Sequence, residues 1–250
     1  MESAIYSNQG DEYQRLIALH WVVRLLYEDD LDWVQIEAIA SPDTQERILV
    51  EDIVVGHKDG HKIYIQAKKN QPDHRAWSIP NLKEMLFNAK NQLKKDPIGQ
   101  VFFYSRTDFG DLKKITDAAD LYKIFSVFNS NAPKTTKNIF DKFKQLLNIS
   151  CEEAVVILNK IKIEPKHDFK DWERIIKEDL KRYFPMHNRV YDFLMRLITL
   201  QSTRLGQIPS VFKKDYLLET LAKEGFCKAP ALEEAKILEK FKTASQIGRN

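Results

Sequence analysis

Apolar residues recur along the chain in two periods, which predict strands and helices in turn. Within residues 15–26 the apolar positions follow helical spacing, so we expect an amphipathic helix with one face packed on a sheet. Apolar runs predict four strands, at 33–39, 50–55, 62–68 and 100–105. A second helix is predicted over 78–95, and from Asp111 onward the pattern is mostly helical. Strands that alternate with helices in this way indicate an α/β fold.

The second and third strands form a predicted hairpin around a Gly-containing turn. If the pairing centres on Asp59, Asp52 lies opposite Gln66. Side chains alternate along a strand, so Gln66 and Lys68 share one face, and Asp52 falls on the same face. The alternative is that these residues form the solvated outer face of an ordinary hairpin. Asp52 lies within an apolar run, however, where a carboxylate needs a partner or a metal.

A carboxylate, an amide oxygen and an ammonium on one face suit a metal-dependent phosphodiesterase. Mg²⁺ prefers oxygen ligands, lowers the pKa of a bound water and neutralises charge on phosphate. Asp52 is the predicted principal ligand, Gln66 would add a carbonyl oxygen, and Mn²⁺ could substitute for Mg²⁺. Lys68 would orient or activate the attacking water, or stabilise the transition state. A further acid would complete the shell. Glu37, in the preceding predicted strand, is the first candidate, and Glu12, at the start of the first helix, is the alternative.

Charge is distributed unevenly, although the net charge is only +3. Residues 1–56 contain 3 Lys and Arg against 12 Asp and Glu, whereas residues 57–114 contain 12 against 6. The basic excess begins at the predicted site, where it could hold a DNA backbone. The candidate DNA contacts are Lys69, Arg75, Lys90 and Lys94. The alternative is that they belong to ordinary solvated helix faces.

Composition narrows the protein class. A hydrophobic fraction of 43% with 30% charged residues is ordinary for a globular protein. No apolar run approaches the length that crosses a membrane, and two cysteines are too few for a disulfide framework, so a cytoplasmic protein is expected. His57 and His61 flank a turn and are not expected to form a zinc pair. Neither common glycine-rich nucleotide-binding loop occurs in the sequence.

Asp52 followed by Gln66-Ala67-Lys68 at the end of the next strand resembles the PD-(D/E)xK nuclease superfamily in its QxK variant. The leading Pro of that family name is missing, and Gln replaces the acidic residue, as in Mrr-like enzymes. The segment Gly10-Asp11-Glu12-Tyr13-Gln14 resembles the entry helix of CD-NTase-associated defence endonucleases. The resemblance covers about the first 110 residues well, and the helical remainder loosely.

The resemblance implies a restriction-endonuclease-like central mixed sheet flanked by helices, with a helical C-terminal subdomain. It implies a nuclease core at 1–115. The residue pattern itself predicts a mainly helical part at 116–230, with an edge strand near 160–164 where lysine and isoleucine alternate, and a helix at 231–250 leading to a further domain. The implied activity is Mg²⁺-dependent cleavage of double-stranded DNA in antiphage defence, by a homo-oligomer fused to or assembled by a sensor or NTPase module. The alternatives are a catalytically inactive nucleic-acid or protein binding module of this fold, and an RNA nuclease.

Overall fold

Six strands in one sheet and helices on both of its faces make up the described part of the chain. The computed structural model describes residues 2–37, 42, 47–50, 52–68, 75–202 and 211–226. The strands are β1 Leu31–Ile36, β2 Ile53–His57, β3 Lys62–Lys68, β4 Gln100–Ser105, β5 Ile161–Ile163 and β6 Val211–Lys213. The helices are α1 Glu2–Tyr27, α2 Lys83–Lys95, α3 Asp111–Tyr122, α4 Phe125–Asn131, α5 Lys134–Leu147, α6 Cys151–Lys160, α7 Phe169–Lys181, α8 His187–Ser202 and α9 Lys214–Lys223. The predicted α/β class with a mixed sheet is confirmed.

The sheet has the order β5-β4-β3-β2-β1-β6. β1, β2 and β3 form an antiparallel meander, whereas β4 runs parallel to β3 and β5 parallel to β4. A parallel neighbour requires a crossover connection, which α2 supplies between β3 and β4. In the hairpin Ile53 lies opposite Ile65 and Val55 opposite Ile63, so the predicted register centred on Asp59 is confirmed.

Two apolar layers cover the two faces of the sheet. One contains Ile53 and Ile65 together with residues of α1, α7, α8 and α9, and is called here the α1 layer. The other contains Val54 and Tyr64 together with residues of α2, α3, α5 and α6, and is called here the α2 layer. Because side chains alternate along each strand, the even-numbered positions of β3 face the α2 layer. Gln66 and Lys68 therefore lie on the α2 side of the sheet.

The C-terminal half of the chain packs on this same sheet. Helices from residues 111–160 join the α2 layer, and those from 169–223 join the α1 layer. The boundary predicted after residue 115 falls inside α3, and the predicted edge strand near 160–164 is confirmed as β5. The helix predicted over 231–250 lies outside the described residues. None of the described helices has the length and apolar character needed to span a membrane.

One strand was not predicted. The apolar pattern predicts a helix from residue 212 to 223, but α9 begins at Lys214 because Val211–Lys213 pairs with β1 as β6. Phe212 lies opposite Val34 and is fully buried in the α1 layer. Three residues are too few to show a period in the sequence, so this strand forms only because it can pair with β1 in the folded chain.

Candidate functional site

Asp52 lies immediately before β2 and is held against the end of β3. Its Oδ2 accepts a hydrogen bond of 2.7 Å from the backbone amide of Ala67. The Asp52 carbonyl accepts a second bond of 2.8 Å, from the amide of Glu37. The β2–β3 pairing extended by one residue places Asp52 opposite Gln66. The structure thus brings the Asp52 carboxylate beside Gln66-Ala67-Lys68, as the hairpin register predicts.

Gln66 contributes a buried oxygen near the C-terminal end of β3. Its side chain is half-buried, and Oε1 is buried without a hydrogen-bond donor among the residues that the structure describes. Buried polar atoms are nearly always hydrogen-bonded, because an unpaired acceptor loses its hydration without compensation. An acceptor of this kind beside a carboxylate is an electronegative position suited to a cation or a donor.

Lys68 is half-buried at the last position of β3 and lies near an aromatic ring. Its Nζ is 5.8 Å from the ring centroid of Trp77. Trp77 Nε1 donates a hydrogen bond of 3.1 Å to Oγ of Ser105, which is the β4 residue opposite Lys68 in the parallel pair. The sequence gives no sign of this contact, because a lone Trp in a polar connecting segment does not reveal which residue lies beside it in the fold.

Glu37 and Glu12, the two candidates for the further metal-binding acid, lie in different parts of the fold. Glu37 was predicted inside a strand, which is wrong: β1 ends at Ile36, and Glu37 is exposed with a left-handed φ of 51°. Strand alternation therefore does not fix the direction of its side chain, although its amide binds the Asp52 carbonyl. Glu12 is exposed on α1, which packs on the face of the sheet opposite to Gln66.

No cluster of three or more His, Cys, Asp or Glu side chains in the described ranges is arranged to hold a metal. A metal site built from the described residues would thus depend on a carboxylate together with an amide oxygen and water. Hard cations such as Mg²⁺ accept these ligands and retain several waters. Between the two acids, the hydrogen-bonded neighbour of Asp52, Glu37, is the better-placed candidate.

Among the predicted DNA contacts, Lys90 and Lys94 on α2 are the two that the structure places relative to Lys68. Lys69 lies outside the described residues, and Arg75 is exposed. Lys90 is half-buried and donates a hydrogen bond of 2.8 Å to the carbonyl of Leu147, the last residue of α5. Lys94 is exposed in the last turn of α2, which leads to the beginning of β4. β4 begins opposite Ile63, about 17 Å along the strand from Lys68 at about 3.3 Å per residue.

The tyrosine of the segment that resembles an entry helix is a core residue. Tyr13 packs edge-to-face on Phe169, and its hydroxyl accepts a 3.4 Å hydrogen bond from Nε1 of Trp172. Burial raises the pKa of Tyr13 to about 12, so the phenol stays neutral. Its contacts fix α1 against α7. The side chain therefore has a structural role.

Comparison with known proteins shows a shared fold. No protein-family model matches the chain, and no curated protein sequence matches it. Two solved structures of the Acinetobacter baumannii Cap4 SAVED/CARF-domain containing receptor match, one of them with the cyclic trinucleotide 2′3′3′-cAAA, both with a TM-score of 0.55. Identity is 12% and 13%, and the matches cover 86% of this chain but only 47% and 46% of the receptor chain. The chain thus spans about half the length of the receptor, with which it shares a fold.

Proposed function

We propose that this chain is a metal-dependent endonuclease that hydrolyses phosphodiester bonds of double-stranded DNA. The observation that carries the proposal is that the Asp52 carboxylate accepts a hydrogen bond from the amide of Ala67, the residue between Gln66 and Lys68 at the end of β3. The order of helix, three antiparallel strands, helix and parallel strand also fits the core of the nuclease superfamily that the motif resembles.

The residues at this edge fit a hard divalent cation. Asp52 and Gln66 would hold it, with Glu37 as the nearest further acid. The buried Gln66 Oε1, for which the described residues supply no donor, is the oxygen that a cation would satisfy. When bound, Mg²⁺ or Mn²⁺ would lower the pKa of a water and neutralise charge on the phosphate.

The chain's own residues would perform the remaining steps. The Lys68 ammonium would donate to the attacking water or to an equatorial phosphate oxygen, where negative charge grows in the transition state. Asp52 would keep its orientation throughout, because the Ala67 amide already holds one of its oxygens. The buried surroundings of β2 and β3 would strengthen these interactions by lowering the local dielectric.

A role as an effector of antiphage defence is part of this proposal. It follows from the resemblance of the motifs to defence endonucleases, and the shared fold with a Cap4 receptor supports it. A homo-oligomer that cuts both strands, joined to or assembled by a sensor or NTPase module, would be the active form.

A second candidate function is that of a receptor module that binds a cyclic oligonucleotide. The observation in its favour is the likeness to the receptor solved with 2′3′3′-cAAA, over 86% of this chain. Such a module would bind the trinucleotide and would leave DNA intact. Its binding would not depend on Asp52 or Lys68 unless the same edge of the sheet held the nucleotide.

The deciding experiment is cleavage of supercoiled and linear double-stranded DNA at raised protein concentration, with Mg²⁺ or with EDTA. We expect metal-dependent cutting that is lost in Lys68→Ala, whereas Lys223→Ala, at an exposed position of α9 on the opposite face of the sheet, should keep it. An RNA duplex in parallel distinguishes the RNA nuclease. Cutting that survives in Lys68→Ala would refute the site. Absence of cutting, combined with calorimetric binding of 2′3′3′-cAAA, would favour the receptor module.

A further inference from the structure

Trp77 is fixed in place by contacts at both its backbone and its ring. Its amide donates a hydrogen bond of 2.8 Å to the carbonyl of Asp108, and its Nε1 binds Oγ of Ser105 at 3.1 Å. Ser105 is 1% exposed and its Oγ also accepts a 3.0 Å bond from the amide of Thr107. A hydroxyl oxygen accepts two such bonds, so the indole is attached to a rigid position at the end of β4.

The ring fixed in this way lies beside Lys68. Lys68 and Ser105 are register partners in the parallel pair of β3 and β4, and Trp77 connects to both. The distance of 5.8 Å from Nζ to the ring centroid is within the range of a cation–π interaction, for which Trp is the best acceptor. Both side chains lie on the α2 side of the sheet.

We propose that Trp77 is a positioning residue for the catalytic amine, holding the Lys68 ammonium at the site through its π face. This inference rests on the proposed nuclease function. A lysine side chain has four rotatable bonds and loses much conformational freedom when it is held in one place. The indole supplies that restraint before substrate binds, and Ser105 supplies the restraint on the indole.

Two substitutions at Trp77 distinguish the effect of its aromatic face on catalysis from the effect of its apolar packing. Trp77→Phe keeps an aromatic face, whereas Trp77→Leu keeps apolar bulk without one, and both lose the bond to Ser105. We expect kcat to fall about tenfold in Trp77→Leu and to stay within about threefold of the parent in Trp77→Phe. KM should change little in either variant, because the contact affects the transition state and not the binding of DNA.

Phe87→Leu on α2 is the matched control. Its ring lies 5.8 Å from Nζ of Lys90, the same kind of contact at the same distance, without involving Asp52 or Lys68. We expect kcat of this variant to equal that of the parent chain. A loss in Phe87→Leu as large as in Trp77→Leu would overturn the inference, because the effect would then be one of general packing.

A second readout is independent of activity. In protein labelled with ¹³C at the lysine ε-carbons, the Lys68 resonance, assigned with Lys68→Arg, should show an upfield ring-current shift. The shift should persist in Trp77→Phe and vanish in Trp77→Leu. Failure of the parent chain to cut DNA would overturn the nuclease and with it the catalytic role of Trp77. If the parent cuts DNA, the positioning role alone would be overturned by equal kcat values in the parent, Trp77→Phe and Trp77→Leu. A Lys68 resonance that Trp77→Leu leaves unchanged would also overturn it.

Discussion

Asp52 has two separable roles, and paired substitutions should divide them. The carboxylate is the proposed metal ligand, and its Oδ2 also accepts the Ala67 amide at 2.7 Å. Asp52→Ala removes both roles and leaves that amide without its side-chain acceptor. Asp52→Asn keeps an oxygen that can accept the bond but removes the negative charge. The two variants should therefore fail as metal sites alike and differ in stability.

The size of the difference in stability follows from the hydrogen bond between the Ala67 amide and Asp52. A hydrogen bond to a charged group contributes about 1.5–3 kcal/mol, and loss of a partner from a half-buried donor costs about 1–3 kcal/mol. We expect Asp52→Ala to lower the free energy of unfolding by about 2 kcal/mol and Asp52→Asn by less than about 1 kcal/mol. The longer-range packing of β2 and β3 should hold in both.

Urea unfolding of the parent and the two variants measures the stability difference, with equal m-values as the check that the same surface unfolds. Isothermal titration with Mn²⁺ on the same samples measures the metal site, which should be lost in both variants. Equal stability of Asp52→Ala and the parent would refute the hydrogen bond. Metal binding that survives in Asp52→Asn would refute the role of the carboxylate.

Three further predictions concern other parts of the fold. Gln66→Met replaces an amide, whose buried Oε1 has no hydrogen-bond donor among the described residues, with an apolar group of similar length. Urea unfolding should therefore show a stability equal to that of the parent or up to about 1 kcal/mol higher, and Mn²⁺ binding should be weaker. A loss of more than about 1 kcal/mol of stability would show that the amide oxygen is hydrogen-bonded. Gly56→Ala should unfold the domain or lower its stability by at least about 3 kcal/mol, because the new Cβ would lie 2.2 Å from the Trp33 ring. At Gly60 a Cβ would meet no atom within 4 Å, so Gly60→Ala should lower stability by only about 1 kcal/mol, the cost of its φ of 87°. Thermal unfolding of the two variants measures both losses. Burial lowers the pKa of His20 from 6.5 to about 3, so the contribution of the neutral imidazole to stability is complete above pH 6.5 and is lost as the pH falls. Urea unfolding at pH 7 and pH 5 should show that the free energy of unfolding of the parent falls by about 2 kcal/mol more than that of His20→Gln. The same fall in both proteins would contradict this.

Local periodicity determined the part of the site that one hairpin contains. The β-branched runs and the turn length fix the register of β2 against β3, and a period of two then assigns Gln66 and Lys68 to one face. Asp52 needed no tertiary information to be placed opposite Gln66. The helix α2 was likewise predictable, because it is long enough for its apolar stripe to repeat.

Tertiary structure decided whatever depends on pairing between distant segments. Trp77 lies beside Lys68 only because β4 pairs with β3 through a crossover and presents Ser105 at that position. Lys90 donates a hydrogen bond to the carbonyl of Leu147, so α2 contacts the end of α5, a segment distant in sequence. A sequence records the period within each element, since that depends on neighbouring residues. It does not record which elements meet, since that depends on how the whole chain buries its apolar surface.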